Sequence, residues 1–467
     1  MSLTQFIPTG TQLVKELKNA LAQFDPNYAE EQLAYEQAKA QLSSSALAEA
    51  LERQFAAQLL YVAWQGVCWN LDCCRNPVNK LRLKSDYEEL HGEYHFPSLP
   101  QVHAAEKAIH SAVPHFTQEQ QESSQRLADY YASFESFSFA RVEKYILPML
   151  ADAEAAYGGR LEIMLSPWSP PAYMKTNGER NHGGKLKACY WKRWAEYICR
   201  YVEEYRSRGF NVTMLTLQNE PKAVQTWDSC IYTAQEEKIF LRDYVWPSLA
   251  EHNLTDIDIY IWDHNKERAF EWAETIIDAE TDHMVAGIAF HWYSGDHFEA
   301  LRMLRERFPK KKLLLSEACI EFSKYSAEDN LANAQKYAHD IIGNLNEGMS
   351  VFLDWNLVLD ELGGPNHVKN FCDAPYLFDT ARKQLVEREL QSYIKHFSHY
   401  IETGAVRIGV SRYTDKLEIT AFQENSKIVF VLLNRTQEAI PAFIRLNDTC
   451  AGLIAASNSI ATGVVNI

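Results

Sequence analysis

Long apolar runs are missing from this 467-residue sequence. None approaches the roughly 18 consecutive apolar residues of a membrane-spanning helix, so no membrane span is predicted. Positive charge is scarce as well. The formal net charge is −16 and the sequence pI is near 5.5, which excludes the basic footprint wanted by nucleic acid or an anionic membrane surface. A neutral sugar or glycolipid stays open as a partner. The first two dozen residues lack the basic start and apolar core of a secretory signal. The nine cysteines show no repeated metal-ligand spacing, and Cys73 and Cys74 are adjacent. A reduced, cytoplasmic protein is therefore expected, and the Asn-x-Thr matches at Asn211, Asn253, Asn434 and Asn447 carry no weight. A metal-dependent hydrolase finds little support. His283 and His291 have no Cys-x-x-Cys cluster beside them. His91-Gly-Glu-Tyr-His95 has Gly where a zinc helix needs Glu, and it reads as a polar loop. Internal repeats and low-complexity tracts are absent.

What is present is a globular composition, 46% hydrophobic and 23% charged, enough for a large core. The 11 Trp, 24 Tyr and 22 Phe can stack on sugar rings, although most aromatic rings fill cores. Residues 1–60 are rich in Ala, Glu, Gln and Leu and predict helix. Residues 61–134 have no clear pattern. After them strand and helix alternate, with predicted strands at 161–165, 212–217, 257–262, 285–290, 313–316 and 351–354. Helices are predicted at 191–208, 235–249, 267–279, 298–307 and 332–346. Repeated β-then-α units of this length predict a parallel sheet with helices outside. A closed (β/α)8 TIM barrel needs two more strands, which would come from the region before 135. A helix at 384–399 and then strands at 406–410, 417–422, 428–433, 442–446 and 460–467 predict a C-terminal antiparallel β-sandwich. The expected division is a helical segment at 1–60, a catalytic barrel at 61–385 and a sandwich at 386–467.

Two glutamates organise this pattern. Glu220 ends Leu215-Thr-Leu-Gln-Asn-Glu, and Glu317 ends Leu313-Leu-Leu-Ser-Glu. With 351–354 taken as the eighth strand, they end strands four and seven, across the barrel from each other. A carboxylate at the carboxyl end of a buried parallel strand reaches the rim where barrel active sites lie. Two carboxylates at one rim can divide glycoside hydrolysis between them. One protonates the leaving oxygen, and the other attacks the sugar carbon or activates water. Retention requires the carboxyls about 5–5.5 Å apart, and the acid, Glu220, is expected to have a raised pKa that Glu317 lacks. Asn219 can bond a sugar 2-hydroxyl. Tyr293, after strand six, can bond Glu317, and His291 beside it can orient neighbours. Trp168 and Trp355 are candidate sugar-stacking walls. Trp262-Asp263-His264-Asn265 ends strand five as a weaker support, and Cys319 is read as a buried, inert thiol.

These residues carry a resemblance. Ser166-Pro-Trp-Ser-Pro-Pro with Met174-Lys-Thr-Asn-Gly178, Leu217-Gln-Asn-Glu-Pro221, Trp227-Asp-Ser-Cys230, Gly287-Ile-Ala-Phe-His-Trp-Tyr293, Ser316-Glu-Ala-Cys319 and Asp354-Trp-Asn with Gly363-Gly-Pro-Asn366 together resemble glycoside hydrolase family thirty, and within it the glucosylceramidase-type branch. The resemblance runs from about 135 to 467. It implies a (β/α)8 barrel with a β-sandwich, a retaining mechanism, and no metal or organic cofactor. By matching motif, Glu220 resembles the family's acid/base and Glu317 its nucleophile. Trp168, Asn219, Tyr293 and Trp355 resemble its sugar-pocket residues, and Asn370-Phe371 a pair near the pocket mouth. A β-glucoside is the implied substrate, glucosylceramide foremost, with a β-xyloside or β-1,6-glucan as alternatives.

The N-terminal third departs from that pattern. It has no Gly-Phe-Gly-Gly-like first strand and no Asp-Phe-Ser motif. Cys74-Arg-Asn-Pro-Val-Asn79 resembles the lead-in to the second-strand motif, which makes Arg75 its arginine. Lys80-Leu-Arg82-Leu then stands where Ser and a sugar-binding Asp are expected, and an arginine cannot accept hydrogen bonds from sugar hydroxyls. Two readings follow: a retaining β-glycosidase, or a carbohydrate-binding protein on the same fold that has lost turnover.

Overall fold

A computed structural model of the chain describes residues 137–467. The predicted helical segment at 1–60, the two further barrel strands, Arg75 and Lys80–Arg82 lie outside the described residues. The described chain divides into two units, 137–159 with 187–204, and 160–186 with 205–467. In the first, helix α1 (Leu147–Tyr157) ends on Gly158, whose φ of 74° is the left-handed cap that glycine adopts without a Cβ penalty. Helix α2 (Trp191–Ser207) buries Trp191, Trp194, Ala195, Ile198 and Val202 at helical spacing. Phe137 and Phe139 pack edge-on against Tyr197 and Tyr201, at 5.0 and 5.3 Å between ring centroids.

The second unit holds a six-stranded sheet in the order β1 (Glu162–Leu165), β2 (Asn211–Thr216), β3 (Asp258–Asn265), β4 (Gly287–His291), β5 (Lys312–Glu317) and β6 (Met349–Phe352). Every neighbouring pair is parallel. These are the six strands predicted after residue 135, with ends shifted by at most three residues. Each strand sends one side chain into a single cluster: Met164, Met214, Tyr260, Ala289, Leu314 and Val351. The opposite face buries Ile259, Ile261, Ile288, Phe290, Leu313 and Leu315. A strand covered on both faces reads as a continuous apolar run, which is why 313–315 is three leucines. Helix α5 (Ala269–Ile276) packs on β3 and β4, and α7 (Asn330–Asn346) on β6. Between them in sequence runs α6 (Phe298–Arg307). The helix predicted at 235–249 is broken. A capped α3 (Ala234–Ile239) passes through a wider turn at Phe240–Val245 into α4 (Trp246–Glu251). Pro247 at its start lacks the amide to continue the tighter ladder. No helix among the described residues is long and apolar enough to cross a membrane.

After β6 comes a three-stranded sheet that the pattern did not reveal: β7 (Val358–Asp360), β8 (Tyr376–Asp379) and β9 (Gln384–Glu387). The predicted helix at 384–399 accordingly starts later, as α8 (Glu389–Ser398). The β-sandwich has a four-stranded sheet of β10 (Val406–Ile408), β11 (Leu417–Glu424), β12 (Lys427–Asn434) and β15 (Ser459–Asn466). It faces a hairpin of β13 (Ile440–Leu446) and β14 (Thr449–Ala455). Between the layers lie Leu417, Ile419, Ile428, Phe430, Leu432, Ala442 and Ala455. Asn425 (φ 51°) and Asn447 (φ 53°) turn the two hairpins, because asparagine tolerates the left-handed region that two-residue turns require. The sandwich is tied to the helices of its own unit. The Asn346 amide donates to the Ile419 carbonyl at 3.0 Å, and His396 bonds Thr462 at 2.8 Å.

Candidate active site

The site stands at the carboxyl ends of the parallel strands. Pairing registers slip between Trp262 and His264 on β3, and between Phe290 and His291 on β4. Such bulges turn consecutive side chains to new directions. On β3 the bulge carries Trp262 and Asp263 at φ 76° and 52°, a strain of about 1–3 kcal/mol each that surrounding contacts must hold. Glu237 of α3 supplies that hold. Its carboxylate accepts from the Trp262 amide at 3.0 Å and from the Trp272 indole. Glu220 is itself at φ 47°, with its amide donating to the Asp263 carbonyl at 2.9 Å.

Asp263 is the buried centre of the arrangement. The hydroxyls of Ser166, Thr216 and Ser316 donate to its carboxylate, and His291 Nε2 lies 3.1 Å from its Oδ1. Burial pushes the Asp263 carboxyl up, but these bonds outweigh it and hold it below its ordinary value. The other ring nitrogen, His291 Nδ1, lies 3.3 Å from Glu220 Oε1. His264 Nδ1 faces the same oxygen at 3.7 Å, and Gln225 donates to Glu220 Oε2 at 3.3 Å. Across the site the Tyr293 hydroxyl donates to Glu317 Oε1 at 2.8 Å and touches the Cys319 thiol at 3.3 Å. The Tyr293 amide is fixed by Asn265 at 3.0 Å.

These contacts reverse the pKa order expected from sequence. Burial raises the Glu220 carboxyl, but the hydrogen bond and charge of His291, then His264 and Gln225, bring it below its ordinary value. Glu317 is pushed up to about 7. Burial is the main cause, opposed by His291 and the Tyr293 bond and reinforced by the negative Glu220. The expectation placed the raised carboxyl on Glu220 and the structure raises Glu317 instead, because His291 hydrogen-bonds Glu220 and acts on Glu317 by charge alone. His291 itself would be pushed down by burial, but Glu317, Asp263 and Glu220 together hold it well above its ordinary value. His291 Nδ1 is thus placed to hold a proton one hydrogen bond from Glu220.

Among the remaining candidates, Asn219 is buried beside Glu220, its amide held by the Pro167 carbonyl at 2.8 Å. Trp168 and Trp355 stack on each other, at 5.0 Å and 23° between planes, with Trp355 45% exposed. They follow the two outer strands of the sheet, so their contact shows how far it curls. The Asn370 side-chain amide donates to the Glu321 carboxylate at 3.2 Å. Cys319 is a buried thiol held well above its ordinary value, first by its bond to Cys372 and then by burial. Gln225, Glu237 and the three hydroxyls around Asp263 were missed. The hydroxyls sit at strand ends like the glutamates, which was the available signal; nothing local marks Gln225 or Glu237.

Comparison with known proteins gives matches along this stretch of chain. Residues 108–401 match the glycosyl hydrolase family 30 TIM-barrel domain, and residues 404–463 match the family 30 β-sandwich domain. The lysosomal acid glucosylceramidase of Mus musculus is 30% identical over 318 residues, covering 64% of this chain and 62% of that protein. The crystal structure of SrfJ from Salmonella typhimurium aligns with a TM-score of 0.70 at 38% identity, over 73% of this chain and 76% of that one. The endo-β1,6-glucanase BT3312 aligns with a TM-score of 0.62 at 23% identity, over 70% and 75%, a likeness of fold. The chain spans about three-fifths of the length of the curated relatives it matches.

Proposed function

The chain belongs to glycosyl hydrolase family 30, and from that premise we propose that it hydrolyses a β-glucoside with retention of configuration, a glucosylceramide-like glycolipid being the substrate class. One observation carries the reading: Glu220 and Glu317 meet at a single rim, each with its own partner, His291 on one and Tyr293 on the other. Tyr293 engages Oε1 of Glu317, which makes Oε2 the attacking atom. As that oxygen bonds the anomeric carbon, the proton held by His291 passes through Glu220 Oε1 to the leaving oxygen. Aglycone departure leaves a glycosyl ester on Glu317. Glu220 then takes a proton from water, and the hydroxide releases the sugar with its original configuration. Asn219 bonds the sugar 2-hydroxyl. The glycolipid assignment is supported by the name of the mouse relative.

The test is release of 4-nitrophenol from its β-glucoside by wild type, Glu317→Gln and Glu220→Gln, with the first-formed anomer read by proton NMR. Turnover by wild type alone, with the β-anomer first, supports the mechanism. An α-anomer first would sink it. Sugar binding without turnover would assign the chain to carbohydrate binding. Parallel assays on glucosylceramide in detergent and on β-1,6-glucan decide the substrate class.

A further inference from the structure

Glu220, His264 and His291 bring donor atoms within 4.8 Å of one another. Glu220 Oε1 lies 3.3 Å from His291 Nδ1 and 3.7 Å from His264 Nδ1. Tetrahedral zinc with bonds of about 2.0–2.1 Å sets its donors roughly 3.3 Å apart, close to both separations from Glu220, and the two imidazole nitrogens have to close from within 4.8 Å. Two independent features point to an ion at this place. His291 Nε2 is engaged by the buried Asp263 carboxylate at 3.1 Å, the carboxylate–histidine pairing that orients zinc-binding imidazoles. His264 Nδ1 is a buried nitrogen with no hydrogen-bond partner among the described residues, although it points at a carboxylate. A buried polar atom in that state costs about 1–3 kcal/mol, and a metal bond would remove the cost. The surroundings suit a dication, with the buried Asp263 carboxylate directly behind His291.

We propose that Glu220, His264 and His291 form an inhibitory site for a borderline divalent transition metal, with Zn²⁺ as the fitting ion. Three protein ligands leave the fourth position to water. The ion displaces the proton from His291 Nδ1 to solvent and takes the Glu220 oxygen that would receive and deliver it, so the metal-bound enzyme has no general acid. The inhibition rests on the reading of Glu220 given above; the metal binding does not.

The experiment titrates the full chain with Co²⁺, followed by its visible absorption, and records zinc-edge X-ray absorption of the wild type loaded with one Zn²⁺. One Co²⁺ per chain is expected, displaced by Zn²⁺ and removed by EDTA. Glu317→Gln should still bind it, although that variant lacks the nucleophile. Asp263→Asn should weaken binding roughly 10–100-fold, as loss of an outer partner does, and His264→Ala by more than that. The wild-type zinc spectrum needs no variant to fold. It should show nitrogen and oxygen neighbours at about 2.0–2.1 Å with imidazole scattering, whereas sulfur at about 2.3 Å would place the ion on cysteine and overturn the proposal. Absence of bound Co²⁺, or binding that survives both His264→Ala and Glu220→Gln, overturns it too. A wild type without glycosidase activity that shows the expected zinc shell would defeat the proposed function alone.

Discussion

Replacing Glu317 by Gln should abolish glycoside hydrolysis and at the same time stabilise the protein above neutral pH. The reasoning starts from a buried carboxyl pushed up from 4.5 to about 7 by desolvation, with the attraction of His291 and the Tyr293 bond already included. An acid whose folded pKa is raised opposes folding wherever it must ionise. The penalty is absent below the unfolded value near 4.5, grows as pH rises to about 7, and is constant above. A shift of that size corresponds to about 3 kcal/mol at full ionisation, on the scale of about 1.4 kcal/mol per pH unit. Glutamine keeps the shape and the oxygen that accepts from Tyr293, but it has no charge to desolvate. In a chain of this length such a gain raises Tm by a few °C, at about 2–4 °C per kcal/mol or less. The assay is scanning calorimetry of wild type and Glu317→Gln between pH 4.5 and 8, beside 4-nitrophenyl β-glucoside hydrolysis. The expected difference in Tm is near zero at pH 4.5 and largest at pH 8. A variant less stable than wild type at pH 8, or a difference independent of pH, would refute the argument.

The same carboxyl sets the pH profile, since Glu317 must be ionised to attack. The acid limb of kcat/KM should rise through about pH 7, and Tyr293→Phe, which removes a donor to the carboxylate, should move it higher and lower kcat/KM roughly 10–100-fold, as losing a hydrogen bond to a charged group does. Away from the site, Lys266 is fully buried and its ammonium bonds Asp340 at 2.5 Å and Asn344 at 3.1 Å. Lys266→Met should cost about 3–5 kcal/mol in urea unfolding by stranding the Asp340 charge, and Lys266→Met with Asp340→Leu should recover most of it. At Gly343 an added Cβ would fall 2.1 Å from Phe298 Cζ, so Gly343→Ala should destabilise by about 1–3 kcal/mol, with Phe298→Leu in the same chain relieving part of the loss.

The strand–helix alternation was legible because each signal is local. Six apolar segments of four to eight residues, with a helical pattern between each and the next, can hardly pair except as a parallel sheet. Their polar ends were legible for the same reason, since a buried strand tolerates Asn219-Glu220 or Ser316-Glu317 only where it emerges. Short and mixed segments were harder. Strand β14, with Gly452 at its middle and most of its residues exposed, has almost no alternation to read. In the sheet of β7, β8 and β9, the pairing of β7 with β8 joins residues more than fifteen apart with no tight turn between them. Gln384–Glu387 was read as the start of α8, and pairing with β8 decided otherwise.

That two glutamates, a histidine and a tyrosine stand at or just past strand ends was legible in the sequence by itself, because a buried strand carries polar residues only where it emerges; the bulges that turn them toward one another were not. Which glutamate is acidic and which is held ionised was decided only by tertiary structure. Glu220 meets a histidine 71 positions away, and Asp263 is bonded by hydroxyls 97, 47 and 53 positions from it. A pKa is a sum over such neighbours together with the solvent they exclude. The stacking of Trp168 on Trp355, from opposite edges of the sheet, was decided at the same level, because only the curl of the whole sheet brings those edges together.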